Sequence, residues 1–285
     1  MRETIDSVIL PVAGKGTRLM PQTGVLPKPL FPLAGRNDRV TCVLHVILAQ
    51  IHVAGIARVA LIVSPGQAEL IARYLDSLEP VARRSLPADI ATIEQATARG
   101  FGDAVLCGRA FTENRPFAVL LGDHVHVAAE GRPCCLKQVT EAFDSVRGVA
   151  MVGVHEVGID EVAKVGLVRG GDGDGRVYRC LDFVEKPDPA TAQQRLRTPG
   201  LALDSFLGHC GIYTFSAEIF TYLEQDRRDK EGTACEIELA AAQSKLLRDY
   251  PEKYYLYRID GCAYDMGTPS GYRRTLMVFA DREVP

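Results

Sequence analysis

Short apolar runs punctuate the first half of the chain and are separated by stretches with helical spacing. Residues 8–12, 59–63 and 117–121 carry no polar side chain, the pattern of strands buried on both faces. Between them Val43, Leu44, Ile47, Leu48 and Ile51 recur at helical intervals and give out near Gly55. Residues 67–78 and 103–110 read as further helices, and 92–95 as a short strand. This alternation predicts an α/β fold: a doubly wound, mostly parallel mixed sheet with helices on both sides. Ligands in such sheets bind beyond the carboxyl ends of the strands. The glycine turn at Gly14 and Gly16, Gln95 and Asp123 each follow directly on one of these runs.

The second half changes character. Residues 149–154, 166–168, 177–184 and 209–215 read as strands with longer connections, and 170–175 as a hairpin turn. That turn is no calcium loop, because the twelfth position from Asp172 is Phe183 where a bidentate Glu is required. Helices are expected over 217–223 and 236–247, then a strand over 254–259 and a terminal helix from Pro269. No repeat or linker-like stretch intervenes. One domain over 1–285 is expected, with halves of about 1–130 and 131–285.

Composition narrows the possible partners. A chain of 285 residues with 47% hydrophobic content buries a sizeable core. Its net charge of −3 gives no basic footprint for nucleic acid. No apolar run approaches the roughly 18 residues that would suggest a membrane span. Residues 1–6 carry acidic side chains and no small-residue cleavage site, so no signal peptide is expected and the cytoplasm is the expected compartment. The eight cysteines lack Cys-x-x-Cys spacing. Cys42, Cys107, Cys180 and Cys210 sit singly in apolar stretches, and Cys134-Cys135 falls in an expected loop. Reduced thiols are the simplest account.

Candidate chemistry starts at the glycine turn. Gly14 and Gly16 let backbone N–H groups approach an anion, and Arg18 and Lys28 could neutralise a polyphosphate. The pattern is neither a P-loop, since no glycine stands at the required spacing before Gly14-Lys15, nor a dinucleotide fingerprint, which needs glycine where Leu19 stands. Asp123 at a strand end and Asp265 in an expected late loop are carboxylates that could together hold a divalent cation. Gln95 carries the donor and acceptor needed to read a pyrimidine edge. His124 and His126 share a strand face, but no third ligand completes a zinc set.

Ala13-Gly14-x-Gly16-Thr17-Arg18-x-x-Pro21, with Pro27-Lys28-Pro29-Leu30-x-Pro32-Leu33, resembles the signature of sugar-1-phosphate nucleotidyltransferases. It is most similar to that of the bacterial UTP–glucose-1-phosphate uridylyltransferases. The resemblance implies the Rossmann-like fold of that family. It implies UTP bound by Ala13, Gly14, Gly16, Thr17, Gln95 and Gly100, with Arg18 and Lys28 catalytic. A sugar 1-phosphate is implied at Gly166, Glu185, Lys186 and Gly211, and Mg²⁺ on Asp123 and Asp265. An oligomer of identical chains is expected, without nucleic-acid or membrane partners.

Some residues depart from the uridylyltransferase pattern. Gly122-Asp123 stands where Pro-Asp is common, and Asp265-Met266-Gly267-Thr268-Pro269 looks more like thymidylyl- or mannose-1-phosphate enzymes. Arg36-Asn37-Asp38-Arg39 is a polar insert. Thymidylyl transfer is therefore the alternative within the family. A glycosyltransferase would need an Asp-x-Asp motif, which Asp123-His124-Val125 lacks. A non-catalytic regulatory relative would have no reason to keep Arg18, Lys28, Asp123, Lys186 and Asp265 together.

Overall fold

The computed structural model describes residues 4–285, so the first three residues of the segment read against a signal peptide lie outside the described residues. The chain opens with β1 (Ser7–Pro11) and a short hairpin of β2 (Pro32–Ala34) and β3 (Val40–Cys42). Helix α1 (Val43–Val53) leads to β4 (Arg58–Val63), and α2 (Gln67–Asp76) and α3 (Pro80–Arg84) lead to β5 (Asp89–Glu94). The helix expected over 103–110 divides at Gly108 into α4 (Phe101–Cys107) and α5 (Arg109–Thr112), followed by β6 (Phe117–Leu120) and β7 (His124–Ala128).

The expected loop at Cys134-Cys135 is instead the start of α6 (Cys135–Val146). Leu136, Val139, Thr140 and Phe143 bury one face of this helix, the spacing that packs an amphipathic helix on a sheet. The strand expected over 149–154 runs on as β8 (Ala150–Gly158), and β9 (Leu167–Gly173) turns into β10 (Val177–Val184). After α7 (Pro189–Arg195), β11 (Ser205–Phe215) extends well beyond the expected 209–215. Helices α8 (Ile219–Asp229) and α9 (Leu239–Asp249), strands β12 (Tyr254–Arg258) and β13 (Gly261–Asp265), and α10 (Pro269–Ala280) complete the described chain.

Nine strands form one sheet in the order β5-β4-β1-β6-β11-β8-β12-β10-β9. The first four are mutually parallel, β11 and β10 run against the rest, and β12 pairs with β8 in parallel. β9 also pairs back onto β11, Leu207 opposite Val168, so the second half curls round on itself.

Alternation along β1 and β4 divides the core. Val8, Leu10, Val59 and Leu61 face one apolar cluster with α1 and α6. Ile9, Ala60 and Ile62 face the other, with α4, α8 and α9. Helices on both faces leave the strands' carboxyl edge open, and the candidate site lies there. The polar insert 36–39 is the turn between β2 and β3 and clasps the last residues: the Arg36 N–H donates to the Arg282 carbonyl at 2.8 Å, and the Asn37 amide to the Val284 carbonyl at 3.1 Å.

Candidate active site

Beyond β1 the chain bends through Gly14 and Gly16, the latter left-handed at φ 62°. It continues in 3₁₀ turns at Thr17–Leu19 and Lys28–Leu30 rather than in a long helix. Lys28 folds back under this bend. A Cβ on Gly16 would lie 3.0 Å from the Lys28 Cγ, and one on Gly14 would lie 4.0 Å from its Nζ. Glycine at 16 thus serves both the backbone conformation and the passage of the lysine stem. Ala13 is buried at the start of the bend, whereas Gly14, Thr17 and Arg18 are exposed.

The Lys28 Nζ reaches the Asp123 Oδ2 at 2.6 Å. Asp123 lies between β6 and β7, and Asp265 arrives from the far end of the sequence. Asp265 is the last residue of β13, not part of a loop as expected, and it sits directly opposite His124 in the antiparallel β7–β13 ladder. The Met266 N–H donates to the Asp123 carbonyl at 2.9 Å and tightens this junction.

Gly267 marks the centre of the cluster, its N–H donating to the Asp265 Oδ1 at 2.6 Å. A Cβ on Gly267 would lie 2.9 Å from the Asp265 Oδ1, 3.1 Å from the Asp123 Oδ2 and 3.2 Å from the Arg18 Nη2. The turn glycines, both cations and both aspartates therefore converge. His124 joins them, its Nδ1 3.1 Å from the Asp123 Oδ1.

Electrostatics hold the cluster charged. Burial alone would push the Asp123 carboxyl up, but the His124 hydrogen bond and charge, with Lys28, outweigh it and keep the group well below the usual carboxylate range. Burial pushes the His124 imidazole down, and the hydrogen bond and charge of Asp123 more than reverse that. One ligand atom each from Asp123, His124 and Asp265 lies within 4.8 Å of the others. That oxygen-rich set, in the cradle that a Cβ on Gly267 would fill, fits a divalent cation. His126 belongs elsewhere: its Nε2 donates to the buried Cys210 carbonyl at 2.7 Å, and burial pushes its pKa down to about 4. The two histidines of 124–126 do not form a common site.

Gln95 lies at the carboxyl end of β5, its N–H bonded to the Val63 carbonyl at 2.8 Å. Its buried amide nitrogen donates to the Gly100 carbonyl at 3.2 Å and to the Asp103 Oδ2 at 2.7 Å. Gly100 has φ +100°, and a Cβ there would meet the Ile237 carbonyl at 2.7 Å. Its glycine character is explained by this contact with the chain before α9.

Gly166, Glu185 and Lys186 gather at the far end of β11. A Cβ on Gly166 would touch the Glu185 Oε2 at 2.8 Å and the His209 Nδ1 at 3.1 Å. Lys186, left-handed at φ 47°, places its Nζ 3.4 Å from the Glu185 Oε1. His209 donates its N–H to the Gly166 carbonyl at 2.9 Å and stacks on Phe183 with centroids 4.9 Å apart. Its buried Nε2 has no hydrogen-bond partner among the described residues. Gly211, at φ +83°, links this end to the aspartates, because a Cβ there would meet the His124 ring at 3.2 Å.

The family model described as nucleotidyl transferase matches residues 7–281. The chain belongs to that family. This nucleotidyl transferase is 31% identical over 297 residues to the UTP–glucose-1-phosphate uridylyltransferase of Bacillus subtilis (strain 168), covering 98% of this chain and 93% of the relative. It is 31% identical over 292 residues to the protein of the same name from Staphylococcus haemolyticus (strain JCSC1435), covering 97% and 92%. A solved UDP-glucose pyrophosphorylase complexed with UDP-glucose superposes with a TM-score of 0.80 at 26% identity, covering 97% of this chain and 98% of that one.

Four residues of this candidate site are not announced by the sequence. Gly267 lies inside the 265–269 segment, and Asp103 reads from the sequence only as the start of the helix expected over 103–110. His124 reads from the sequence only as half of an incomplete zinc pair. His209 carries no local signal, since an isolated histidine in an apolar strand reads as core.

Proposed function

We propose that this nucleotidyl transferase moves a uridylyl group from UTP to a sugar 1-phosphate, with glucose 1-phosphate as the first candidate, and releases pyrophosphate. The convergence of Arg18, Lys28, Asp123 and Asp265 around Gly267 carries the reading. Positioning and charge neutralisation supply most of the catalysis in such transfers, without a covalent enzyme intermediate. Similarity to two uridylyltransferases along nearly the whole chain supports the choice of base and sugar.

In this reading the UTP base lies at Gln95 and Gly100, and the phosphates lie over Ala13, Gly14, Gly16 and Thr17. Lys186 holds the sugar phosphate while Glu185, Gly166 and Gly211 frame the sugar. A phosphate oxygen of the sugar 1-phosphate attacks the α-phosphorus in line. The bond from that phosphorus to the bridging oxygen breaks, and Arg18 screens the departing pyrophosphate. Asp123 and Asp265 would hold Mg²⁺, with His124 beside them; Mg²⁺ bound there supplies charge neutralisation of the phosphates. His124, with Lys28, keeps the Asp123 carboxylate ionised, and Lys28 orients it.

The residues up to about 130 would serve the nucleotide and the remainder the sugar phosphate. No helix of the described chain is long and apolar enough to cross a membrane. All eight cysteines are unpaired, which supports a reducing, cytoplasmic setting. The exposed apolar side chains of Val40, Val53 and Met277 offer surface for an oligomer of identical chains, which light scattering would detect.

Pyrophosphate release, measured with UTP, dTTP, CTP, ATP and GTP against a panel of sugar 1-phosphates, tests the proposal. UTP with glucose 1-phosphate should lead, and UTP should exceed ATP and GTP at least about tenfold in kcat/KM, or roughly 1.4 kcal/mol. Faster turnover of a purine triphosphate would overturn the base assignment.

A further inference from the structure

Both hydrogens of the Gln95 amide are already committed. One goes to the Gly100 carbonyl at 3.2 Å and the other to the Asp103 Oδ2 at 2.7 Å. Gln95 and Asp103 are both buried. The Gly100 carbonyl is itself fixed, because the flanking chain is stapled to the segment before α9. The Ile237 N–H donates to the Arg99 carbonyl at 2.7 Å, and the Gly102 N–H to the Ile237 carbonyl at 2.8 Å. A flipped amide would set its Oε1 against a carbonyl and a carboxylate, two acceptors facing a third, in a place where an unmade hydrogen bond is costly. The network therefore admits one orientation, and Oε1 is the only Gln95 side-chain atom left for a ligand.

We propose that Asp103 is a positioning residue that sets the base specificity of the site by locking Gln95 as a pure acceptor. This rests on the reading that the nucleotide base lies at Gln95. An isolated amide can turn to suit either pyrimidine. A locked Oε1 accepts from the N3–H of uracil or thymine but opposes the bare N3 of cytosine. Cytosine could use its 4-amino group only by shifting its register in the pocket. The site thus selects 4-oxo pyrimidines, and the discrimination comes from a carboxylate that acts only through the glutamine. Rejecting a ligand that leaves a buried polar group mispaired is stronger than rejecting one by size.

The test compares kcat/KM for UTP and CTP in the full-length wild type, Asp103→Leu and Asp103→Asn, each with saturating sugar 1-phosphate and with melting temperature measured alongside. The wild type should favour UTP at least about a hundredfold. Asp103→Leu removes the shorter of the amide's two anchors and leaves only the Gly100 carbonyl to oppose a flip. It should therefore lower that ratio at least about tenfold, mainly through KM for both triphosphates, because the contact holds the base equally in ground and transition states. Asp103→Asn retains an acceptor for Gln95 and should keep the ratio within about threefold of wild type. A merely structural role would lower the melting temperature and leave the ratio unchanged, which would overturn the proposal. So would a wild type that uses CTP as well as UTP. A wild type active with neither pyrimidine would overturn the uridylyl reading itself, and this inference with it.

Discussion

Replacing Gly267 by alanine separates the site's chemistry from the fold's stability. The added Cβ would lie 2.9 Å from the Asp265 Oδ1, 3.1 Å from the Asp123 Oδ2 and 3.2 Å from the Arg18 Nη2, all side-chain tips. No core atom stands in the way, and Gly267 is not among the positive-φ glycines. Alanine is therefore compatible with the backbone, where such a change typically adds about 0.4–1 kcal/mol through the unfolded chain. The melting temperature should hold or rise slightly. The three tips must yield by several tenths of an ångström, yet Asp123 is pinned by Lys28 at 2.6 Å and by His124 at 3.1 Å. The displacement therefore falls on Asp265 and Arg18, and a methyl group occupies the cradle meant for a cation and phosphate. Disturbing charge stabilisation at that point should cost at least about a hundredfold in kcat/KM, near 2.7 kcal/mol, the scale of losing one oxyanion donor. Initial rates of pyrophosphate release with UTP and glucose 1-phosphate, set beside differential scanning calorimetry, provide the assay. Activity within threefold of wild type at an unchanged melting temperature would refute the convergence argument.

Asp123→Asn and Asp265→Asn should each lose about 2–4 kcal/mol of transition-state stabilisation; full activity of either under limiting Mg²⁺ would remove that residue from the cation site. Arg18→Ala should lower kcat with little change in the sugar-phosphate KM, whereas Lys186→Ala should raise that KM strongly, and steady-state kinetics showing the reverse would exchange their roles. Burial pushes the His209 pKa down to about 3, so the folded state resists a proton that the unfolded chain takes up near its ordinary value of about 6.5. Stability from this group is therefore lost as pH falls from about 6.5 towards 3. The stability gap between wild type and His209→Leu, measured by urea unfolding, should shift by about 2 kcal/mol against wild type between pH 7 and pH 5. A gap independent of pH would refute it.

The strands with apolar runs were legible because burial on both faces removes polar side chains altogether: β1, β4 and β6 lie within a residue or so of where the pattern placed them. Helix α6 is equally readable from Leu136, Val139 and Phe143, but Gly131, Pro133 and the vicinal cysteines at its start favour a loop locally. The extensions of β8 and β11 were hidden for a different reason. The added residues 155–158 and 205–208 mix polar and small positions with the buried Val157, Phe206 and Leu207, so neither shows a continuous apolar run, and they are strands because they pair with each other across the sheet.

The site divides along the same line. Arg18, Lys28 and the glycine turn lie close in sequence, so spacing exposes them. Asp265 meets Asp123 only because the β7–β13 register sets it opposite His124, and strand register between distant segments depends on burial and turns, not on local motif. Gln95 and Asp103 stand across the joint between β5 and α4, where a hydrogen bond between them depends on the angle at which the helix leaves the sheet. That angle is fixed by the contacts of Gly100 and Gly102 with Ile237, from the other half of the chain. The groups that would touch substrate are thus announced by residue type, while their aim is set by long-range packing. Substitutions at residues such as Asp103 and Gly267 should consequently alter selectivity and rate more than fold.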